Sequence, residues 1–149
     1  MRVLDPVSLI LRKKGCDIWS IPSDATVYSA MQRMADHDVG ALLVVDDGQL
    51  VGLISERDYA RKVVLLERGS KETPVSEIMV ASPITIGPGC SVEEAMWLMT
   101  TNRIRHLPVV CDGRICGMIS IGDLVHWIAF AQDHVIEELE NYIGGRYFC

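Results

Sequence analysis

Apolar and polar positions along this chain follow the same sequence of rhythms twice. In two stretches the apolar residues step at helical spacing, Val27, Ala30, Met31 and Met34 in the first, Val92, Ala95, Met96 and Met99 in the second. Thr26 and Ser91 stand immediately before them, where a side-chain oxygen can accept from free backbone N–H groups at a helix start. Short apolar runs follow, Ala41–Val45 and Leu107–Val110, rich in the β-branched residues that strands favour. Asp47-Gly48 and Asp112-Gly113 then turn the chain into second runs, Leu50–Ile54 and Ile115–Ile119, which predicts two hairpins. Ser55 and Ser120 open a further helix in each copy, and a short strand near Ile18–Ile21 or Ile84–Ile86 leads it.

The two copies superpose without a gap. Shifted by 65 residues, Ile21–Tyr59 falls on Ile86–Leu124, with Gly52, Ile54, Ser55 and Asp58 landing on Gly117, Ile119, Ser120 and Asp123. The chain is a duplication, and internal repetition decides its architecture. Each unit is a β-α-β-β-α repeat of about 50 residues, marginal on its own and predicted to bury its sheet against its twin. The expected boundaries are 14–68 and 77–126, followed by a C-terminal helical extension over 127–145. In that last helix Leu124, Ile128, Ala131, Val135, Leu139 and Tyr142 recur at helical spacing, with Gly144-Gly145 as a stop. Its apolar stripe either packs on its own domain or forms a dimer contact.

Composition narrows the function classes. The 149 residues make one compact domain with an aliphatic core, 49% hydrophobic but only 6% aromatic. A net charge of −6 argues against a nucleic-acid binder, so any anionic ligand must be held by a few local cations. Val7–Leu11 is too short for a signal-peptide core and Arg12, Lys13 and Lys14 follow it, while no apolar run reaches a membrane-spanning length. The five cysteines, Cys16, Cys90, Cys111, Cys116 and Cys149, form no C-x-x-C pair, as expected of reduced thiols in a cytoplasmic protein. A zinc site built from Cys111, Cys116 and a histidine is the less favoured reading, and no metal is expected.

Candidate chemistry centres on S-x-x-D, present in both copies as Ser55/Asp58 and Ser120/Asp123. Read structurally it is a capping box. Read functionally, a helix N-terminus with a free hydroxyl holds phosphate, and an aspartate one turn in accepts both hydroxyls of a ribose. The two readings are compatible, since the cap aims both side chains at one mouth. His37, His106, His126 and His134 are scattered, and neither a Walker-type loop nor a G-x-G-x-x-G opening occurs, so an enzyme is not expected.

Gly52-Leu53-Ile54-Ser55-Glu56-Arg57-Asp58, its counterpart Gly117-Met118-Ile119-Ser120-Ile121-Gly122-Asp123, and Asn102-Arg103-Ile104-Arg105-His106-Leu107-Pro108-Val109 together resemble a pair of cystathionine-β-synthase (CBS) domains, a Bateman module. The resemblance runs from about Lys14 to Val125 and is most similar to short stand-alone CBS pairs. It implies two repeats packed about a pseudo-two-fold axis, adenosine ligands (AMP, ADP, ATP, NAD or S-adenosylmethionine) in clefts between them, and dimerisation into flat discs. No cofactor is required for such a role.

The same resemblance implies that the helix motif of one repeat faces the start of the other's hairpin. Ser55, Arg57 and Asp58 then meet Arg105 and His106 around one phosphate position, with Leu53, Pro83, Ile84, Ile104 and Pro108 lining an adenine slot. The second cleft gathers Ser120, Asp123, Ile18, Trp19, Val39, Leu43 and Met118. It faces Gly40 and Ala41, which replace Arg105 and His106, and is expected to hold no cation. The leading functional expectation is a regulatory, energy-sensing module that binds an adenine nucleotide (AMP, ATP or NAD(H)), forms a homodimer and modulates an unknown partner protein. The alternatives are an interaction or dimerisation scaffold with vestigial sites, and a nucleotide-processing enzyme.

Overall fold

A computed structural model describes residues 4–15 and 17–130. Its elements run α1 (Val7–Lys14), β1 (Ser20–Ile21), α2 (Val27–His37), β2 (Ala41–Asp46), β3 (Gln49–Ser55), α3 (Glu56–Tyr59), β4 (Val80–Ala81), α4 (Val92–Asn102), β5 (His106–Cys111) and β6 (Arg114–Ser120). Helix α5 covers 121–130. Helix α3 continues into a π-turn over Ala60–Val64. The expected continuation of α5, with Val135, Leu139 and Tyr142, lies outside the described residues, as do Cys16 and Cys149.

Both hairpins form where the sequence places them, in one shared register. Ala41 pairs with Ser55 and Asp46 with Gln49; His106 pairs with Ser120 and Cys111 with Arg114. Even the irregularity repeats, between Val44 and Val45 and again between Val109 and Val110. The leading strand survives as β1, parallel to β2. Its twin is reduced to a single parallel bridge, Ile86 to Val109. The helix starts follow the local chemistry. Thr26 accepts from the Ser29 N–H at 3.1 Å, and Ser91 forms a reciprocal cap with Glu94. Asp38 and Arg103 end α2 and α4 in the left-handed region, at φ 53° in both.

Each repeat has its own core, and each core is closed by a segment from outside its own helix-hairpin-helix unit. Val27, Ala30, Met34, Leu42, Val44 and Ile54 pack with Val75 and Ile78 of the connection that follows the first repeat. Val92, Ala95, Met99, Leu107, Val109, Ile119 and Leu124 pack with Val7, Ile10 and Leu11 of α1. The closures correspond in detail. The Val75 N–H donates to Ala25 O and the Val7 N–H to Cys90 O, both at 2.8 Å; Val27 N–H donates to Thr73 O and Val92 N–H to Asp5 O, both at 2.9 Å. Both closing segments pack closely on a glycine: a Cβ at Gly52 would sit 2.5 Å from Met79 Sδ, and one at Gly117 would sit 2.8 Å from Leu11 Cδ2. The stretch 5–11 therefore does for the second repeat what 73–79 does for the first. Residues 5–13 precede the boundary expected at 14, and Ile78 falls inside the span 77–126 while packing in the other core.

Candidate functional site

Duplication about one interface gives two clefts, and divergence has made them unequal. The larger, about 680 Å³, is lined by Leu53, Ser55, Glu56, Arg57, Asp58, Arg61 and Lys62 from the first repeat and by Asn102, Arg103, Ile104, Arg105 and His106 from the second, with Gly40 and Val80. That is ample for a nucleotide-sized molecule, since ligand pockets run roughly 300–1,000 Å³. Seven of the ten residues expected here line it: Leu53, Ser55, Arg57, Asp58, Ile104, Arg105 and His106. Pro83, Ile84 and Pro108 do not. Pro108 is buried within β5, where its carbonyl accepts from Ile86, and Ile84 is 39% exposed.

The helix start is built as a capping box. The Asp58 N–H donates to Ser55 Oγ at 3.2 Å, and Asp58 Oδ2 accepts from the Ser55 N–H at 2.9 Å and the Ser55 hydroxyl at 3.0 Å. The second carboxylate oxygen, Oδ1, faces Lys62 Nζ at 3.2 Å. Lys62 is also tied to the Ile78 carbonyl at 2.9 Å, so it can release Asp58 without losing all its partners. Arg57 reaches across the cleft, its Nη1 donating to the Arg103 carbonyl at 2.9 Å. The left-handed turn at Arg103 is what presents that carbonyl to it.

The gathering of charge is larger than the sequence predicts. Arg61, Lys62 and Arg103 join Arg57 and Arg105 around one cavity, against Glu56 and Asp58. Charge-assisted bonds from guanidinium groups are the strong kind for phosphate. His106 plays a different part from the third cation expected. Burial first, then the positive charge of Lys14, hold its imidazole below the usual range, with Arg105 adding to them and Asp123 and Asp58 opposing. It lines the larger cavity and holds a proton less readily than a free imidazole.

The smaller cleft, about 140 Å³, is lined by Lys14, Gly15, Asp17, Ile18, Trp19, Val39, Leu43 and Met118. Of the residues the resemblance implies for this cleft, Ile18, Trp19, Val39, Leu43 and Met118 line it, while Ser120 and Asp123 are not among the lining residues. Trp19 stacks on His37, ring centroids 3.6 Å apart. Asp123 is capped like Asp58, accepting from the Ser120 N–H at 2.8 Å. The expectation that this cleft holds no cation is wrong, because α1 supplies one. Lys14 Nζ lies 2.7 Å from Asp123 Oδ2. The shift by 65 residues cannot reveal it, since Lys14 precedes the duplicated stretch.

Among the described residues no group of three or more His, Cys, Asp and Glu side chains is placed to hold a metal ion. The Cys111 thiol is pushed up, chiefly by the neighbouring Asp112 carboxylate, and so is not activated as a nucleophile. No described helix is long and apolar enough to cross a membrane.

Comparison with known proteins agrees with this fold. The CBS domain family matches the chain twice, over residues 10–65 and 75–130. The CBS domain-containing protein CBSX3, mitochondrial, of Arabidopsis thaliana is 42% identical over 95% of this chain and 73% of its own length. A CBS-domain protein of known structure from Burkholderia ambifaria is 48% identical over 83% of this chain and 93% of that one, with a TM-score of 0.80. The hexameric CBS-CP12 protein of bloom-forming cyanobacteria is 26% identical over 82% of this chain and 67% of that one, with a TM-score of 0.74. CBS pairs are in general regulatory, ligand-binding modules that oligomerise. With two matched domains, a doubled motif and a shared fold, the chain belongs to the CBS-domain family.

Proposed function

We propose that this protein is a non-catalytic regulatory module whose larger cleft binds an adenine nucleotide such as AMP, ATP or NAD(H), and that a partner protein reads the bound state. One observation carries the reading: an Asp at a helix start and five Arg or Lys side chains from both repeats surround a single cavity of about 680 Å³. A scaffold with vestigial sites has no use for such a gathering, because like charges held together destabilise the fold unless an anion joins them. In this reading the ribose hydroxyls take the place of Lys62 on Asp58. The phosphate lies among Arg57, Arg103 and Arg105, and the base rests on Leu53 and Ile104. Because ligand contacts come from both repeats, occupancy changes how the repeats sit against each other, and that is the signal. The homodimer and the cytoplasmic location expected from the sequence go with this reading.

Isothermal titration with AMP, ATP and NAD tests it. Binding of at least one of the three is expected, and Asp58→Ala should weaken it by tenfold or more, since a charged hydrogen bond contributes about 1.5–3 kcal/mol and tenfold corresponds to about 1.4. The substitution also removes a cap, so its melting curve is compared with that of Asp58→Asn, which keeps the shape. The same titration in two buffers of different ionisation heat should show proton uptake. A phosphate beside His106 supplies the negative neighbour that raises its depressed affinity for a proton. His106→Asn should abolish that uptake. Flat titrations with all three nucleotides would sink the reading.

A further inference from the structure

The smaller cleft is occupied by the chain's own side chain. Lys14 Nζ donates to Asp123 Oδ2 at 2.7 Å and to the Met118 carbonyl at 2.8 Å. Met118 and Asp123 stand 65 residues after Leu53 and Asp58, both of which line the larger cavity. The ammonium therefore rests on the counterparts of the two residues that, in the larger cleft, face base and ribose. The space left is about 140 Å³ against about 680 Å³, below what a nucleotide needs.

Among the described residues the larger cleft has no equivalent occupant. Its own lysine, Lys62, comes from the helix one turn beyond Asp58 and takes its second bond from Ile78 rather than Leu53. In the closing segments Leu11 corresponds to Met79, since they approach Gly117 and Gly52 in the same way; three residues further on, Lys14 corresponds to Ser82, which is too short to reach across. Lys14 is also held in position. Helix α1 buries Val7, Ile10 and Leu11 in the second core, Trp127 Nε1 donates to Asp5 at 3.2 Å, and Lys13 lies 3.8 Å above the Phe130 ring.

We propose that Lys14 is a tethered plug that closes the Asp123 cleft to adenosine ligands, so that the native chain takes up one nucleotide where the duplication provides two sites. The plug is releasable: the Lys14 side chain is 38% exposed, and a half-exposed ion pair is screened by water and salt. Being attached, it competes at a high effective concentration that a free ligand must exceed. The inference rests on the nucleotide reading of the larger cleft.

Titration calorimetry with adenosine and AMP on the wild type, Lys14→Ala and Lys14→Arg tests it. Lys14 is the last residue of α1, so Ala is well tolerated there, and a thermal melt of each variant verifies folding. One equivalent per chain is expected for the wild type and Lys14→Arg, and two for Lys14→Ala. The second equivalent should vanish when Asp123→Asn is added. One equivalent in both wild type and Lys14→Ala overturns the plug while leaving the larger site intact. Two equivalents in the wild type overturn it as well. No binding by any of the chains overturns the nucleotide reading and the plug with it.

Discussion

Deleting residues 1–14 is expected to unfold the second repeat. In sequence terms these residues precede the duplication, but Val7, Ile10 and Leu11 are only 0%, 4% and 6% exposed and all belong to the second core. Fully burying an aliphatic side chain contributes about 1.5–3 kcal/mol. Three of them amount to roughly 5–9 kcal/mol, the size of a whole domain's stability of about 5–15 kcal/mol. The deletion also strips the backbone bonds from Val7 to Cys90 and from Val92 to Asp5. Amide exchange should show protection lost throughout α4, β5 and β6. In the milder variant Leu11→Ala the expected loss is about 2–5 kcal/mol. A deletion variant that melts within a few degrees of the intact chain would show that α1 is an ornament on the core and not part of it.

The second large effect is on anion binding. Arg57→Ala together with Arg105→Ala is expected to reduce AMP affinity by at least a hundredfold while adenosine, which carries no phosphate, loses far less. Each charged hydrogen bond to the phosphate contributes about 1.5–3 kcal/mol, and two lost bonds give about 3–6. At about 1.4 kcal/mol per factor of ten, a hundredfold is the conservative bound. Arg61, Lys62 and Arg103 remain in the cavity, so the residual binding should be steeply salt-dependent, as expected for looser, solvent-screened charges. Competition titrations at low and high salt separate the two effects. Equal losses for AMP and adenosine would mean that the arginines shape the cleft and do not hold phosphate.

How far these features can be read from the sequence differs along the chain for physical reasons. The hairpins are legible because Asp47-Gly48 and Asp112-Gly113 demand positive φ in a short turn, and short apolar runs rich in β-branched residues flank them. The caps at Ser55, Ser91 and Ser120 are legible because they are local, each spanning four residues. The second leading strand, expected near Ile84–Ile86, is weaker than its pattern suggests. It shrinks to one bridge, Ile86 to Val109. Lys14 is not legible at the 65-residue spacing because it precedes the duplicated stretch. A signal does exist: Pro6-Val7-Ser8 recurs as Pro74-Val75-Ser76, 68 residues on, and marks the two closing segments. That shift of three relative to the main repeat hides it. The extra cations, Arg61 and Lys62, lie past the S-x-x-D motif on a helix whose second-repeat counterparts are His126 and Trp127, so the repeat comparison offers no charge to match. Pro83, Ile84 and Pro108 are apolar residues near a cleft, and spacing alone does not tell which face of the chain they take.

In the proposed function an adenine nucleotide lies in the larger cleft with its ribose on Asp58. A crystal structure of the protein grown with millimolar AMP tests it most directly. The expected result has both ribose hydroxyls within hydrogen-bond distance of the Asp58 carboxylate, Lys62 moved off Asp58 Oδ1, and phosphate oxygens on Arg57 and Arg105. A nucleotide bound instead on Asp123, or a larger cleft left empty at saturating AMP, would contradict it.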